Sequence, residues 1–570
     1  MDTQRIIALI VFLFSGMLLF EAWNKHQNPK VPQLSDAAIQ SQLPATPGAP
    51  ASVPSILPST ATAVPSAPAQ TAAVSGPQAA QAMPGSQGRV LVSTDLFDIE
   101  FDQQGADIRQ VTLKTHLARG DNKRPFKLMQ DKVGAYFVAQ SGLLGAGLPS
   151  HTATWKAEAN RYDLGAGNTL EVAFTQQDTP GILVRKVFTF TKGSYVVAQR
   201  IEIKNDSGAE IAPSAYFQFL RDGNPPEGES HGNMFTGIVT YTGPAVFTDA
   251  KKFQKVEFAQ IDKGKQDHIK QASDGWIAMV QHYFVSAWLP ANNQAREYFT
   301  QKWPNQLYSA GYKVAMPTVK SGESGKVETS LYLGPQEIEK IKLLAPGLDL
   351  VVDYGWLTII AYPMFVILSW IHKIIANWGW TIVIFTILLK LAFFPLNQKA
   401  GREMARMRTL APKIEALRAR YGDDKVKLNQ GMMELYRTEK VNPLGGCLPI
   451  LIQMPFLIAM YWVLVGAVEL RNAPWIGWIT DLTIPDPFYV LPVIMGVSMI
   501  VQTKLNPAPP DPVQAKVMMI MPIVFSIMFF FFPAGLVLYW TMQNLLGIAQ
   551  QWYLNKTAEA HLNPKGSAKA

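Results

Sequence analysis

Val517 to Asn555 runs for 39 residues without a charged side chain, and Phe529-Phe530-Phe531-Phe532-Pro533-Ala534-Gly535-Leu536 stands near its middle. As a single helix this run would measure roughly 58 Å at 1.5 Å per residue, about twice the ~30 Å hydrocarbon core of a bilayer. Proline removes a helix donor and glycine tolerates a tight turn, so the run divides there into two spans, 515–532 and 535–554. Working outward, Gly445 to Val468 is uncharged over 24 residues and Pro487 to Thr503 over 17, which places further spans at 444–468 and 487–504. The C-terminal half is therefore expected to be a polytopic α-helical membrane protein, ending in a tail over 555–570.

The rest of the chain is different. Of its 570 residues only 16% are charged, against about 25% for soluble domains, a deficit that points to membrane or low-complexity segments. Both are found. Ile6 to Phe20 is an apolar run followed by Glu21-Ala22-Trp23-Asn24, which lacks the small-residue pattern of a cleaved signal, so 1–24 reads as a membrane anchor. Between Val31 and Gly88 the one charged residue is Asp36, amid Pro, Ala, Ser, Gln and Thr; such a stretch buries too little to offset its ordering entropy, and 25–88 is expected to be a disordered tether. From 89 to 344 come β-branched and aromatic runs such as Phe97-Asp98-Ile99-Glu100-Phe101 and Val184-Arg185-Lys186-Val187-Phe188-Thr189-Phe190, separated by turn signals such as Asn205-Asp206-Ser207-Gly208. They predict a large antiparallel β-sandwich.

Charge sets the topology. Gln398 to Asn442 holds eleven Lys or Arg against six acidic residues, so by the positive-inside rule it is cytoplasmic. With the β-domain outside, one crossing lies between them, at 377–397, and 345–376 becomes an amphipathic helix in the outer interface. Six spans result, with both termini cytoplasmic. Within 398–443, Met407, Leu410, Ile414, Leu417 and Tyr421 repeat at 3 and 4, as do Leu428, Met432 and Leu435 after Gly422, predicting an antiparallel coiled-coil hairpin. Its basic faces, including Arg406, Arg408, Lys413, Arg418 and Arg420, suit either anionic phospholipid or a ribosome and nascent-chain contact. The net charge of +8 is thus mostly this hairpin and not a sequence-specific nucleic-acid signal.

No catalytic constellation is visible. There is no Gly-x-x-x-x-Gly-Lys-Ser/Thr loop, no His-Glu-x-x-His and no Gly-x-Ser-x-Gly, the eight histidines are scattered, and the one cysteine, Cys447, can form neither an intrachain disulfide nor a multi-thiolate metal site. No catalytic residue, metal site or cofactor is expected. The conspicuous residue is Lys390, an ammonium roughly 10 Å inside its span, where charge costs about 2.5 to 3.5 kcal/mol on insertion scales and usually faces a polar cavity or a partner. Thr386 and Asn397 continue its face, and other spans add Gln453, Ser498, Gln502, Thr541 and Asn544 but no acidic residue. Two readings stand: a positively charged indentation, or a lysine that snorkels to the inner head groups beside polar residues that glue helices.

Lys440-Val441-Asn442-Pro443-Leu444-Gly445-Gly446-Cys447-Leu448-Pro449, Leu451-Ile452-Gln453-Met454-Pro455 and Phe532-Pro533-Ala534-Gly535-Leu536-Val537-Leu538-Tyr539-Trp540 closely resemble the YidC membrane protein insertase family. The likeness extends to the layout of anchor, tether, external domain, interfacial helix and five-helix core with a basic hairpin, the Gram-negative form with a large periplasmic domain. It implies an inner-membrane insertase and chaperone that helps nascent inner-membrane proteins insert, fold and assemble, with SecYEG, SecDF, the ribosome and the signal recognition machinery as partners. By the same likeness Lys390, in place of the family's usual arginine, would sit in a hydrophilic groove with Thr386 and Gln453. Leu457, Met528 and Trp540 would lie on the apolar slide followed by the emerging span. The external domain would resemble sugar mutarotases in fold, without a basis for sugar chemistry. Rival classes are a secondary transporter or channel, disfavoured by the absence of repeat symmetry and acidic coupling sites, and a membrane-tethered carbohydrate-binding domain.

Overall fold

The computed structural model describes residues 88–118, 123–226, 241–422, 424–439, 441, 448–505 and 512–562. The anchor expected over 1–24, nearly all of the tether, the tail beyond Leu562 and most of the motif around Cys447 lie outside them.

Residues 89–335 build the expected sandwich from a ten-stranded and a nine-stranded sheet. Pairing is antiparallel except where Leu91–Ser93 runs parallel to Arg161–Asp163. The physical basis is the two-residue period: along Ile182–Thr191, Val184, Phe188 and Phe190 turn inward while Arg185 and Thr191 stay exposed. Opposed inner faces meet through aromatic contacts, Phe101 with Phe188 at 4.7 Å and Phe217 with Trp288 at 5.3 Å between ring centroids. The same period drives Lys186 into the core, where it is fully buried.

The helical part comprises α1 (Thr358–Ile375), α2 (Trp378–Ala392), α3 (Phe394–Thr409), α4 (Ala411–Tyr421), α5 (Lys425–Thr438), α6 (Leu448–Gly466), α7 (Val490–Leu505), α8 (Pro512–Phe529) and α9 (Ala534–Leu562). Helix α9 packs against α2, α6 and α7, and α1 against α2 and α6. Gly355–Ile375 is long and apolar enough to cross a membrane, and so is the pair Trp378–Ala392 with Phe394–Gly401, which is bent by 55°. The stretches Leu451–Gly466, Val490–Leu505 and Lys516–Phe529 are apolar but shorter.

Breaks between helices have local causes. Ala376 takes the left-handed conformation at φ 53° and ends α1, after which the Asn377 side chain accepts from Trp380 N at 3.0 Å and starts α2. The 39-residue apolar run breaks at Phe530 to Pro533, and the first N–H groups of α9 are satisfied by a loop: Ala534 N donates to Ile484 O and Gly535 N to Leu482 O. That loop, 467–489, closes one end of the bundle. Its Trp475 lies so near α2 that a β-carbon at Gly379 would fall 2.1 Å from the indole, so only glycine fits there. Asp486 accepts from Trp478 Nε1 and from Leu491 N, capping α7. At the other end α4 and α5 fold back on each other, with Leu410, Ile414 and Val441 buried against Met407, Met432 and Leu435, and with Gly431 in close contact with Tyr421 and Leu417.

Loop and sandwich are joined. Arg471 enters a cage of Phe126, Tyr283 and Phe284, 5.0 to 5.6 Å from each ring, and donates to Leu117 O at 2.7 Å. His282 Nε2 lies 3.0 Å from Val465 O.

Candidate functional site

Three helices present short polar and apolar faces to one indentation. From α2 and its C-cap come Leu389, Lys390 and Phe393, from α6 Gln453, Phe456 and Leu457, and from α9 Tyr539 and Gln543, around a shallow indentation. Each set follows the 3- and 4-residue spacing that stacks side chains on one helical face. Phe393 and Phe456 meet edge to face at 5.1 Å and wall one side.

Polar groups around this space are bonded to one another. Gln453 Nε2 donates to Asn397 Oδ1 at 3.0 Å, and Asn397 Nδ2 donates to Gln550 Oε1 at 3.2 Å. Gln543 Nε2 donates to the Tyr539 hydroxyl, also at 3.0 Å. Lys390 is the exception: among the described residues its ammonium has neither an ion pair nor a hydrogen-bond acceptor. Half-buried, cationic and flanked by aromatic rings, it is what an incoming anion or carbonyl would meet.

Of the residues singled out in the sequence, Lys390, Gln453 and Leu457 are brought together here. Leu457, expected on the slide, lies in the lining itself. Thr386 is elsewhere: it is fully buried, and its hydroxyl donates to Ile382 O at 2.7 Å. Met528 and Trp540 lie away from the lining, partly buried, with the Trp540 ring edge-on to Phe529 at 4.5 Å. On the hairpin, Arg406 pairs with Glu403 at 3.1 Å, Lys413 with Glu439, and Arg420 lies over the Tyr421 ring; Arg418 is half-exposed. The side chain of Arg408 lies outside what is described. Sequence reading missed Tyr539, Gln543, Phe393 and Phe456. The first two stand at i and i+4, as do Gln453 and Leu457, a spacing that could have found them.

A family model described as the YidC periplasmic domain matches residues 89–367, and one described as 60Kd inner membrane protein matches 370–561. A protein of Aromatoleum aromaticum named membrane protein insertase YidC is 48% identical over 98% of both chains. The chain belongs to the YidC family. A relative of the same name from Thiobacillus denitrificans is 47% identical over 99% of both chains. Among solved structures the chain is similar to an active YidC insertase crystal structure with the first transmembrane domain resolved, 18% identical, with a TM-score of 0.37, covering 82% of this chain and 93% of that one. Membership makes the chain an inner-membrane protein whose β-sandwich is the family's periplasmic domain.

Proposed function

We propose that the chain inserts inner-membrane proteins and helps them fold and assemble, alone or with SecYEG and SecDF. The observation that carries this is the unpartnered Lys390 ammonium in an indentation walled by apolar side chains. A polar or acidic segment of a nascent protein pauses there, attracted across a region of reduced dielectric, and its hydrophobic stretch then partitions into lipid past Leu457, Met528 and Trp540. Burial of about 20 apolar residues supplies the driving force, so no nucleotide is consumed. The names borne by the curated relatives support the same reading.

The proposed topology has six spans with both termini cytoplasmic. In it α1 lies in the outer interface, with Ala361, Met364, Phe365, Leu368 and Ile371 toward the core and Ile359, Trp370 and Ile374 toward lipid. The α4–α5 hairpin and the end of α3 that leads into it, with Arg406 and Arg408 on α3 and Lys413, Arg418 and Arg420 on α4, face the cytoplasm and meet anionic phospholipid, the ribosome or the signal recognition machinery.

The purified protein in vesicles of pure lipid, without a translocon, is expected to give protease-protected insertion of a small single-span protein. Insertion no greater than in protein-free vesicles would sink the proposal. Lys390→Ala is expected to lower insertion of clients with acidic translocated tails on the order of tenfold, the scale of one charge-assisted hydrogen bond, while Lys390→Arg keeps most of it.

A further inference from the structure

Lys390 points at a glycine. A β-carbon placed on Gly547 of α9 would stand 3.7 Å from Lys390 Nζ and 3.2 Å from Gln502 Nε2 of α7, so two polar ends from two other helices converge on a position that carries no side chain. The backbone does not demand glycine there: residue 547 lies well inside α9, its φ is not positive, and glycine in a helix interior is about 1 kcal/mol worse than alanine. What the glycine permits is close approach: the amide of Gln502 and the ammonium of Lys390 both lie against bare helix, where a β-carbon would already crowd Gln502.

The surroundings supply no counter-ion. On the same stripe of α9, Gln543 is bonded to Tyr539, Asn544 donates to Ser498 Oγ at 3.4 Å, and Gln550 accepts from Asn397. These are amides with internal partners, and from Ala534 to Asn555 α9 contains no carboxylate. A counter-ion on α9 would satisfy Lys390 from within and cancel its attraction for a client. We infer that Gly547 is a specificity-determining position: by presenting bare helix to Lys390 it keeps the ammonium available to the acidic or carbonyl groups of a passing chain. The inference rests on the insertase reading given above and deepens it by assigning a residue that tunes the same site.

The test uses the full-length protein in lipid vesicles and two clients that differ only in an acidic or neutral translocated tail. Gly547→Asp places a carboxylate within ion-pair reach of Lys390 and is expected to lower insertion of the acidic-tailed client about as far as Lys390→Ala does, on the order of tenfold, and to spare the neutral-tailed client. Gly547→Asn, of the same size without the charge, is expected to lose far less. Moving the cation, in the double variant Lys390→Ala with Gly547→Lys, is expected to restore at least half of the acidic-client insertion, because the new side chain grows into the vacated space. Equal losses in the Asp and Asn variants, or failure of the moved lysine to restore insertion, would overturn the assignment of Gly547. If Lys390→Ala itself has no effect on either client, the reading of the groove fails instead, and the two failures are told apart.

Discussion

Two buried or half-buried lysines show opposite solutions to the same electrostatic problem. Lys186, carried inward by the strand period, donates to Ser141 O at 2.6 Å and to Gly105 O and lies over the Trp155 ring, so its charge is satisfied by fixed dipoles. Lys390 has no such partners among the described residues, and under the proposed function it is the one that meets a client. Near Lys186 sits Asp107, fully buried, accepting from Gln140 Nε2 at 2.8 Å and facing Arg109 at 3.5 Å. Burial pushes its carboxyl up to about 6, against the lowering effects of Arg109, Lys186 and Gln140. The folded value exceeds the unfolded one, so between about pH 4 and 6 the folded chain keeps a proton the unfolded chain has lost, and stability from this group falls as pH rises through that window. Chemical denaturation in detergent, followed by tryptophan fluorescence, should show the difference between wild type and Asp107→Asn shifting toward the variant from pH 4 to pH 7; a difference independent of pH would contradict this. Sequence made Lys390 conspicuous, because it is a lone charge in an apolar run. Nothing local marked Asp107, since its carboxylate is buried by distant strands.

Among the elements, the 467–489 loop does more than connect α6 to α7. It satisfies the first donors of α9, covers Gly379 with Trp475 and sends Arg471 into the β-domain. Three aromatic faces and one carbonyl around a guanidinium are worth about 2 kcal/mol or more. Arg471→Ala is therefore expected to raise backbone hydrogen exchange in 467–489 on the order of tenfold, with a smaller increase in Arg471→Lys, as measured by mass spectrometry of the intact protein. Unchanged exchange would show that the cage does not hold the loop. Beside it, Glu469 is pushed up to about 7, chiefly by burial and further by Glu337 and Glu339, while a hydrogen bond from its own backbone N–H and the charge of Lys340 oppose the shift. The fold-back of α4 on α5 was legible as a pattern, since its 3- and 4-residue repeat is local, although the first arm breaks between Thr409 and Ala411 instead of running unbroken from Met407 to Tyr421. The Arg471 cage was not: its three rings and its carbonyl acceptor come from residues 117, 126, 283 and 284, and no periodicity links them to residue 471.

For the whole molecule, the proposed orientation predicts different access for its two polar ends. With Cys447 replaced by serine, a single cysteine at Arg418 should react with a membrane-impermeant maleimide only after the inner membrane is opened. One at Lys132 should react once the outer membrane alone is permeable. Labelling of both under the same condition would refute six spans with a cytoplasmic hairpin. By itself the sequence determined the classes of structure: long apolar runs that form helices, alternating runs that pair as strands, and the long motifs that mark the family. These follow from hydrophobic length and period, which are properties of contiguous residues. Only the tertiary structure decided which side chains share a space. It brought Lys390, Gln453 and Leu457 together with Tyr539 and Gln543, turned Thr386 onto its own helix, and set Gly547 opposite the ammonium. The reason is geometric: which helical faces meet depends on how α2, α6, α7 and α9 are rotated and packed against one another, and that arrangement is set by contacts between residues far apart in the chain.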